Sequence, residues 1–285
     1  MSADPIAMSN GQVIGYAEYG DPNGKPLFSF HGTPGSRKLS KVYDEAARSA
    51  GLRMIAPERP GYGESSASMS VRLGSYPDQV AEVADKLGID RFGVIGASGG
   101  GMYAAACACR LPDRVWGAGL VSAMMPLYLP DAMRGMATAN RVFFSMGRWL
   151  PGLAGFLISR LTLASLGSAD QHIKNGTSPV ADIPPEVFAV VVDDLRTALK
   201  PGGAGAALDL SNLWRKLEFR LEDIRVPVFL WHGEADNLAP VTSGRYLAAH
   251  IPNCRATFYP GEGHTGPLLN HSSEIMDTLA TLAPS

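Results

Sequence analysis

Short apolar runs alternate with helical patterns along the first 122 residues, and this alternation limits the possible folds more than any other feature of the sequence. Strand-like runs occur at residues 26–30 and 92–95 and within the segments GLRMIAPERP and VWGAGLVSA. Between them, YPDQVAEVADKLGI and GGGMYAAACACRLPDRV have the apolar spacing or the alanine content of helices. Strands that alternate with helices need crossover connections, so the pattern predicts an α/β fold with a mostly parallel sheet.

The first two strand-like segments, residues 12–18 and 26–30, are separated by YGDPNGKP. Asp, Pro, Asn and Gly favour turns, so these two segments are predicted to form an opening hairpin. In a hairpin the two strands are antiparallel neighbours in the sheet.

The alternation stops after Ser122, and only helical patterns follow until the strand-like segments VPVFLWHG and RATFYPG. Two apolar stripes in this interval are typical of amphipathic helices. One stripe contains Leu153, Phe156, Leu157, Leu161 and Ala164, and the other contains Val187, Val190, Val191, Leu195, Ala198 and Leu199. We therefore expect one core domain, residues 1–123 and 217–285, interrupted by a helical cap or lid at residues 124–216.

The composition favours a folded protein with a small-molecule partner. Hydrophobic residues make up 46% of the chain and charged residues 18%, as in ordinary globular proteins. The net charge of -2 gives no field that would hold a nucleic acid or an anionic membrane surface. We expect neither as a partner, and the sequence does not decide between a monomer and a homodimer.

Neither the cysteines nor the apolar segments point to an extracellular or membrane location. Cys107, Cys109 and Cys254 are too few for a disulfide framework or a four-cysteine zinc site. The N-terminal MSADPIAMSNGQ lacks the apolar core of a signal peptide, and the longest apolar stretch is interrupted by Pro126. These features predict a cytoplasmic enzyme or binding protein.

The segment GASGG places Ser98 between a strand and a helix, which is the context of a G-x-S-x-G nucleophile turn. A sharp turn there would raise the serine hydroxyl above the sheet, and only small flanking residues leave room for it. At the start of the helix, the Gly99 N–H and the helix dipole favour a developing oxyanion. The alternative interpretation of these glycines alone is a phosphate-binding or packing turn.

The segment FHGTPGS supplies a second candidate donor for an oxyanion hole. Gly32 allows the chain to fold back, so that the Thr33 N–H can face the same point as the Gly99 N–H. His31 lies at the end of a strand before this turn, and we expect a buried, hydrogen-bonded structural histidine rather than a base.

A serine nucleophile needs a base, and the base needs an acid that fixes its tautomer. Asp236 follows one strand in LWHGEADNLAP, and His264 follows the next strand in YPGEGHTGP. The order Ser98, Asp236, His264 is that expected when all three residues follow the carboxyl ends of successive parallel strands. Glu234 and Glu262 are the alternative acids, and we expect both to be solvated loop charges. The remaining histidines, His172, His232, His250 and His271, are expected to be structural or on the surface.

Five motifs in this order resemble the α/β-hydrolase fold family over nearly the whole chain. The motifs are HGTPG, ERPGYGES, GASGG, HGEAD and GEGH, and Glu58 in the second occupies a place where such proteins commonly carry Asp. The resemblance implies an eight-stranded, mostly parallel sheet with helices on both faces and a helical cap inserted after the sixth strand. It is strongest to serine esterases and to proline iminopeptidase-like members.

Serine at the nucleophile position favours acyl transfer through an acyl-enzyme, because relatives that displace halide or open epoxides use Asp there. The resemblance implies a hydrolase of carboxylic esters, thioesters or lactones that requires no cofactor or metal. Similar sequences also include proline iminopeptidases, C–C bond hydrolases, cofactor-free perhydrolases and slow-turnover ligand receptors with the same residues. An aminopeptidase needs acidic cap residues for an amine, and the candidates are Asp170, Asp182, Asp193 and Asp194, although a solvated helix face is the simpler explanation of these charges.

The cap sequence is rich in methionine and aromatic residues, which suit an adjustable apolar pocket. This pattern predicts a preference for a medium acyl group or compact ring ester over acetate. The candidate lining residues are Met124, Met125, Phe143, Phe144 and Trp149.

Overall fold

A computed structural model of the protein describes residues 4–180 and 183–284. The strands in these residues are β1 (Ile6–Ala7), β2 (Val13–Ile14), β3 (Tyr16–Gly20), β4 (Lys25–Phe30), β5 (Leu52–Pro57), β6 (Phe92–Ala97), β7 (Val115–Val121), β8 (Val228–Gly233) and β9 (Cys254–Tyr259). Seven of them form one sheet in the order β3-β5-β4-β6-β7-β8-β9, in which β3 is antiparallel to β5 and all other neighbours are parallel. The predicted α/β architecture with a mostly parallel sheet is confirmed.

Helices cover both faces of this sheet. The helices are α1 (Asp44–Ser49), α2 (Tyr76–Lys86), α3 (Gly100–Arg110), α4 (Thr138–Trp149), α5 (Pro151–Ser165), α6 (Ala169–Lys174), α7 (Pro185–Leu199), α8 (Ala204–Trp214), α9 (Val241–His250), α10 (Gly266–Asn270) and α11 (Ser272–Leu282), with 3₁₀ turns at Leu39–Tyr43 and Leu221–Asp223. Successive strand side chains point to opposite faces, so Leu27 and Phe28 of β4 belong to different apolar clusters. Each face of the central sheet is therefore buried, as a parallel sheet requires.

The predicted opening hairpin is wrong, because β5 lies between β3 and β4 in the sheet. The turn between β3 and β4 bonds to the start of β5 instead: Asp21 N–H donates to Leu52 O at 2.9 Å, and Lys25 N–H donates to Gly51 O at 2.9 Å. Turn residues favour a change of direction but do not specify which strand becomes the neighbour.

The strand count in the main sheet also differs from the implied eight. In the described residues, β1 and β2 form a separate antiparallel pair, and the chain enters the main sheet only at β3. Gly15 separates the two: its N–H donates to Ser65 Oγ at 3.0 Å, and its carbonyl accepts from Glu58 N–H at 2.8 Å. These contacts go to a loop rather than to a neighbouring strand, so the ladder is interrupted there.

The helices α4 to α8 lie between β7 and β8, and we call them the helical insertion. They run from Thr138 to Trp214, inside the predicted cap limits of 124–216. The apolar stripe of α5 does not face the core: Leu153, Phe156 and Leu161 are exposed by 47%, 58% and 54%. The opposite face of α5 is buried, and it carries small residues that allow α8 to approach closely.

Gly155 on that buried face shows why small residues are needed. A Cβ added there would overlap the Gly203 carbonyl oxygen and lie 2.9 Å from the Cβ of Ala207. Close backbone approach leaves no space for the large apolar side chains, which therefore remain on the outside. No helix in the described ranges has the length and apolar character needed to cross a membrane.

Candidate active site

Ser98 lies in a sharp turn between β6 and α3 and has a φ of 54°. This left-handed conformation is unfavourable for a residue with a side chain. It is held by hydrogen bonds from Ser98 N–H to Val121 O at 2.8 Å and from Gly101 N–H to Ser98 O at 3.0 Å. The turn therefore has the geometry expected of a nucleophile elbow.

The glycines around Ser98 allow backbone segments to meet without side chains between them. A Cβ at Gly96 would overlap the Gly100 carbonyl oxygen, and a Cβ at Gly100 would overlap the Phe30 carbonyl oxygen. The start of α3 consequently packs directly against the ends of β4 and β6. The phosphate-loop alternative has no support from this arrangement, because the glycines are used for packing around one serine.

Thr33 and Gly99 face each other across the space above Ser98. A Cβ at Gly99 would overlap the Thr33 hydroxyl, and a Cβ at Gly32 would lie 3.5 Å from the Ser98 Cβ. Neither the Thr33 N–H nor the Gly99 N–H donates to a backbone or side-chain group within residues 4–180 and 183–284. Two unpaired N–H donors beside a serine hydroxyl are what an oxyanion hole needs.

Asp236 and His264 form a direct pair, with 2.7 Å between Asp236 Oδ2 and His264 Nδ1. Asp236 Oδ1 accepts from Leu238 N–H at 2.8 Å and Ala239 N–H at 2.9 Å, so the carboxylate is fixed from both sides. The carboxylate can only accept, so Nδ1 of His264 carries the hydrogen and Nε2 is left as a base.

The His264 loop is attached to the sheet through Ser122, which the sequence analysis did not single out. Ser122 Oγ donates to the His264 carbonyl at 2.8 Å, and Ser122 has a φ of 46° directly after β7. His264, Ser122 and Ser98 all line one cavity, which we call the Ser98 cavity. The structure thus brings the three predicted catalytic positions to the same edge of the sheet.

His31 is buried beneath this site, as predicted. Its Nδ1 lies 2.9 Å from the Gly32 carbonyl, and its Nε2 accepts from Arg59 N–H at 3.2 Å. Burial, followed by the nearby Arg59 charge, lowers the pKa of His31 well below its usual value. His31 is therefore a neutral residue with both ring nitrogens occupied.

Arg59 and Asp209 form a fully buried ion pair under the Thr33 loop, with 2.6 Å between Nη2 and Oδ2. Asp209 comes from α8 of the helical insertion, and it also accepts from the Thr33 hydroxyl at 2.6 Å. Tyr62 and Tyr103 donate their hydroxyls to the same carboxylate at 2.8 and 2.7 Å. Burial opposes ionisation of Asp209, but Arg59 and the hydrogen bonds keep its pKa below the usual value.

Sequence reasoning missed this pair, although the sequence contains a signal for Asp209. A single carboxylate interrupts the otherwise apolar segment AGAALDL, and such a residue needs a buried partner. Arg59 lies inside the ERPGYGES motif, in which the sequence analysis considered only Glu58. Glu58 remains in its loop: it pairs with Arg37 at 2.7 Å and accepts from Glu64 N–H at 2.7 Å.

The Ser98 cavity has a volume of about 180 Å³. Its walls are mainly apolar, and they come from both the core and α7 of the helical insertion. The apolar residues include Leu39, Ile183, Val191, Leu195, Leu268 and Leu269. Asp194, also on α7, is the one carboxylate among the described lining residues.

None of the five cap residues predicted to line the pocket borders the Ser98 cavity. Met124, Met125 and Phe144 are buried in the main apolar cluster instead. Trp149 is exposed by 75%, and Phe143 is half-buried. The reason is geometric: α7 faces the end of the sheet where Ser98 lies, whereas α4 and α5 pack on α8.

The candidate acids for an amine are also separated by the structure. Asp170 is exposed and pairs with Arg196 at 2.7 Å, and Asp193 pairs with Lys38 at 3.1 Å. Asp194 alone among the described candidates borders the cavity, and Asp182 lies outside the described residues.

Asp194 is 2% exposed. Its Oδ1 accepts from Ser36 N–H and Ser36 Oγ, both at 2.8 Å, and from Leu39 N–H at 3.0 Å. Burial raises the pKa of Asp194 to about 7, against the effect of these hydrogen bonds.

The other acids and histidines have partners away from Ser98. Glu234 pairs with Arg245 at 3.1 Å, as a loop charge would. Glu262 was expected to be solvated, but it is partly buried and lies 2.9 Å from His271 Nε2. His250 contacts the Tyr246 carbonyl, and His172 contacts Thr177.

His232 is fully buried next to Asp236, with 3.5 Å between Nε2 and Oδ2. Its Nε2 donates to the Ala239 carbonyl at 2.7 Å, and burial lowers its pKa. It therefore supports the loop that carries Asp236. Within the described ranges, no group of three or more His, Cys, Asp or Glu side chains could hold a metal ion.

Comparison with known proteins gives a consistent family. The family model for the alpha/beta hydrolase fold matches residues 25–270. A bifunctional esterase/perhydrolase from Acinetobacter calcoaceticus is 26% identical, over 96% of this chain and 98% of its own length. A proline iminopeptidase from Lactobacillus delbrueckii subsp. lactis is 24% identical, over 90% of this chain and 88% of its own.

A solved structure supports the fold independently. The enol-lactonase from Burkholderia xenovorans LB400 superposes with a TM-score of 0.70 at 18% identity, covering 99% of both chains. The family match spans most of the chain, including the segments that carry Ser98, Asp236 and His264. The chain therefore belongs to the α/β-hydrolase fold family.

Proposed function

We propose that the protein is a serine hydrolase that cleaves a small to medium, partly apolar carboxylic ester, thioester or lactone. The observation that carries the proposal is the arrangement around one cavity of Ser98 in a left-handed turn, two unpaired N–H groups and the His264–Asp236 pair. Acyl transfer requires a serine hydroxyl, an imidazole base in a fixed orientation and two convergent hydrogen-bond donors.

In the proposed mechanism, Ser98 Oγ attacks the substrate carbonyl while His264 Nε2 takes the hydroxyl proton. The carbonyl electron pair moves onto oxygen, and the Thr33 and Gly99 N–H groups stabilise that oxyanion. Collapse of the tetrahedral intermediate breaks the bond to the leaving group, which receives the proton from His264. Water then attacks the acyl-enzyme by the same route, which releases the acid and regenerates Ser98.

The cavity supports an acyl group of moderate size. A volume of about 180 Å³ is close to the roughly 150 Å³ that accommodates benzene in an engineered cavity. In this proposal the helical insertion forms most of a cap, residues 124–216, whose helix α7 closes the site through Val191 and Leu195. The esterase/perhydrolase relative is consistent with ester substrates.

The test is a series of p-nitrophenyl acetyl, butyryl, hexanoyl and lauroyl esters. Each buried methylene contributes up to about 0.8 kcal/mol, so kcat/KM should rise up to about fourfold per methylene until the cavity is full. We expect a maximum at butyryl or hexanoyl and a fall at lauroyl. A monotonic fall from acetyl onward would contradict an apolar acyl site, and turnover no faster than in a Ser98→Ala control would favour a ligand receptor.

A second candidate function is an aminopeptidase of the proline iminopeptidase type, and Asp194 is the observation that favours it. This carboxyl group borders the same cavity as Ser98 and could pair with a substrate ammonium. A prolyl p-nitroanilide assayed beside the esters separates the two functions. Efficient amide cleavage that falls in Asp194→Asn much more than ester hydrolysis does would favour the aminopeptidase.

A further inference from the structure

Two buried carboxylates of the helical insertion hold one loop of the core. The loop is residues 31–39, and it carries the Thr33 N–H that faces Ser98. Asp209 of α8 accepts from the Thr33 hydroxyl at 2.6 Å. Asp194 of α7 accepts from the N–H and the hydroxyl of Ser36, both at 2.8 Å.

Each anchor is buried and makes further hydrogen bonds of its own. Asp209 is held by the buried Arg59, and the Arg59 guanidinium also donates to the carbonyls of His31 and Gly32, the latter at 3.0 Å. Ser36 is fully buried and donates its hydroxyl to the Asp194 backbone carbonyl as well, at 3.2 Å. The attachment points at residues 33 and 36 are three residues apart, so the chain between them has little freedom to move.

We propose that Asp209 and Asp194 are positioning residues that fix the Thr33 N–H for the oxyanion of the reaction. This inference rests on the proposed serine hydrolase function. It gives the helical insertion a part in the chemistry, because α7 and α8 then set the oxyanion geometry in addition to covering the substrate. Donors in such a hole must lie about 2.7–3.1 Å from the oxyanion, and misplacement by about 1 Å can cost about 10²-fold in rate.

Two small substitutions test the anchors without removing either buried carboxylate. Thr33→Val deletes the hydroxyl that bonds to Asp209 and keeps the backbone N–H. Ser36→Ala deletes the hydroxyl that bonds to Asp194. The double variant combines them, Thr33→Ser serves as the conservative rescue, and Asp170→Asn is the matched control because Asp170 is an exposed insertion carboxylate paired with Arg196.

The first measurement is hydrogen exchange of the backbone amides in residues 31–39. We expect exchange to accelerate at least fivefold in each single variant and further in the double variant, with no change in Asp170→Asn. This readout does not depend on catalysis. Unchanged exchange in the double variant would overturn the proposed anchoring, whatever the activity.

The second measurement is kcat and KM on the preferred ester. We expect kcat to fall about tenfold in Thr33→Val with KM changed less than threefold, since the oxyanion forms only in the transition state. Thr33→Ser should recover at least part of that loss. A rise in KM alone, or a kcat of Thr33→Ser as low as that of Thr33→Val, would overturn the positioning role, whereas a wild-type protein that hydrolyses no ester would instead refute the proposed function.

Discussion

The positive φ of Ser98 is a local strain that a glycine at the same place would not carry. We expect Ser98→Gly to raise the free energy of unfolding by about 1 kcal/mol, because glycine adopts a φ of 54° without a steric cost. Both Ser98→Gly and Ser98→Ala should lose hydrolysis, by up to about 10⁶-fold in kcat. Urea denaturation and ester turnover measure the two effects, and a Ser98→Ala protein with a tenth of normal activity would exclude Ser98 as the nucleophile.

His31 and His264 both lie at the carboxyl edge of the sheet, and they should respond differently to replacement. His264→Asn should remove hydrolysis and lower Tm less than His31→Asn does, because the His264 side chain is partly exposed and an asparagine amide can still donate to Asp236. His31→Asn should lower Tm by several degrees, because His31 is 2% exposed and both of its ring nitrogens have partners. A His31→Asn protein with normal Tm and no activity would reverse the two assignments.

Single residues that act locally could be predicted from the sequence. The Ser98 turn needs only a strand before it, a helix after it and small neighbours, and all of these are visible within a few residues. Thr33, Asp236 and His264 could be predicted because each comes after a strand, and parallel strands place their carboxyl ends at one edge of the sheet. Asp209 was missed because its partners Arg59, Tyr62 and Tyr103 are 106 to 150 residues away in sequence.

At the scale of the element, α5 shows that a small buried residue can affect stability more than a large exposed one. Gly155→Ala should destabilise the protein by about 1–3 kcal/mol, because the added methyl overlaps the backbone at Gly203. Phe156→Ser, one residue along, should change stability by less than about 0.5 kcal/mol, since Phe156 is 58% exposed. Denaturant unfolding of the two variants compares them, and a larger loss in Phe156→Ser would mean that its ring is covered in solution.

The wrong expectations at this scale have a common physical cause. Apolar periodicity shows that a helix is amphipathic, but the face that packs depends on where another backbone can approach. In α5 the small residues Gly155 and Ala154 determine which face packs against α8. The pocket consequently lies under α7 rather than beside Trp149. In the same way, the YGDPNGKP turn was recognised, whereas its bonds to β5 could not be.

The free energy of unfolding should depend on pH through the titration of Asp194. Its pKa in the folded protein is about 7, above the ordinary value of 3.8. The folded state then binds the proton more tightly than the unfolded state, so the contribution is complete below about pH 4 and is lost as the pH rises through about 7. The difference in Tm between Asp194→Asn and the wild type should therefore shift in favour of the variant as the pH is raised from 5 to 8.

Differential scanning calorimetry at pH 5, 6, 7 and 8 measures this difference. Asp193→Asn is the control, because Asp193 is the exposed neighbour on the same helix and pairs with Lys38. Its difference from the wild type should stay flat over this range. A flat difference for Asp194→Asn as well would show that the buried carboxyl group does not titrate there.

The Arg59–Asp209 pair connects the core to the helical insertion, and these are the two parts of the chain that a protein engineer would exchange to make a chimera. The helical insertion is suited to grafting, since it connects β7 and β8, which are neighbouring strands of an otherwise intact sheet. A foreign insertion without a carboxylate at the Asp209 position would leave the Arg59 guanidinium buried and uncompensated, at a cost of about 3–5 kcal/mol. A chimera of this protein is therefore expected to be destabilised unless the donor insertion carries an acid at that position or the recipient also loses its arginine.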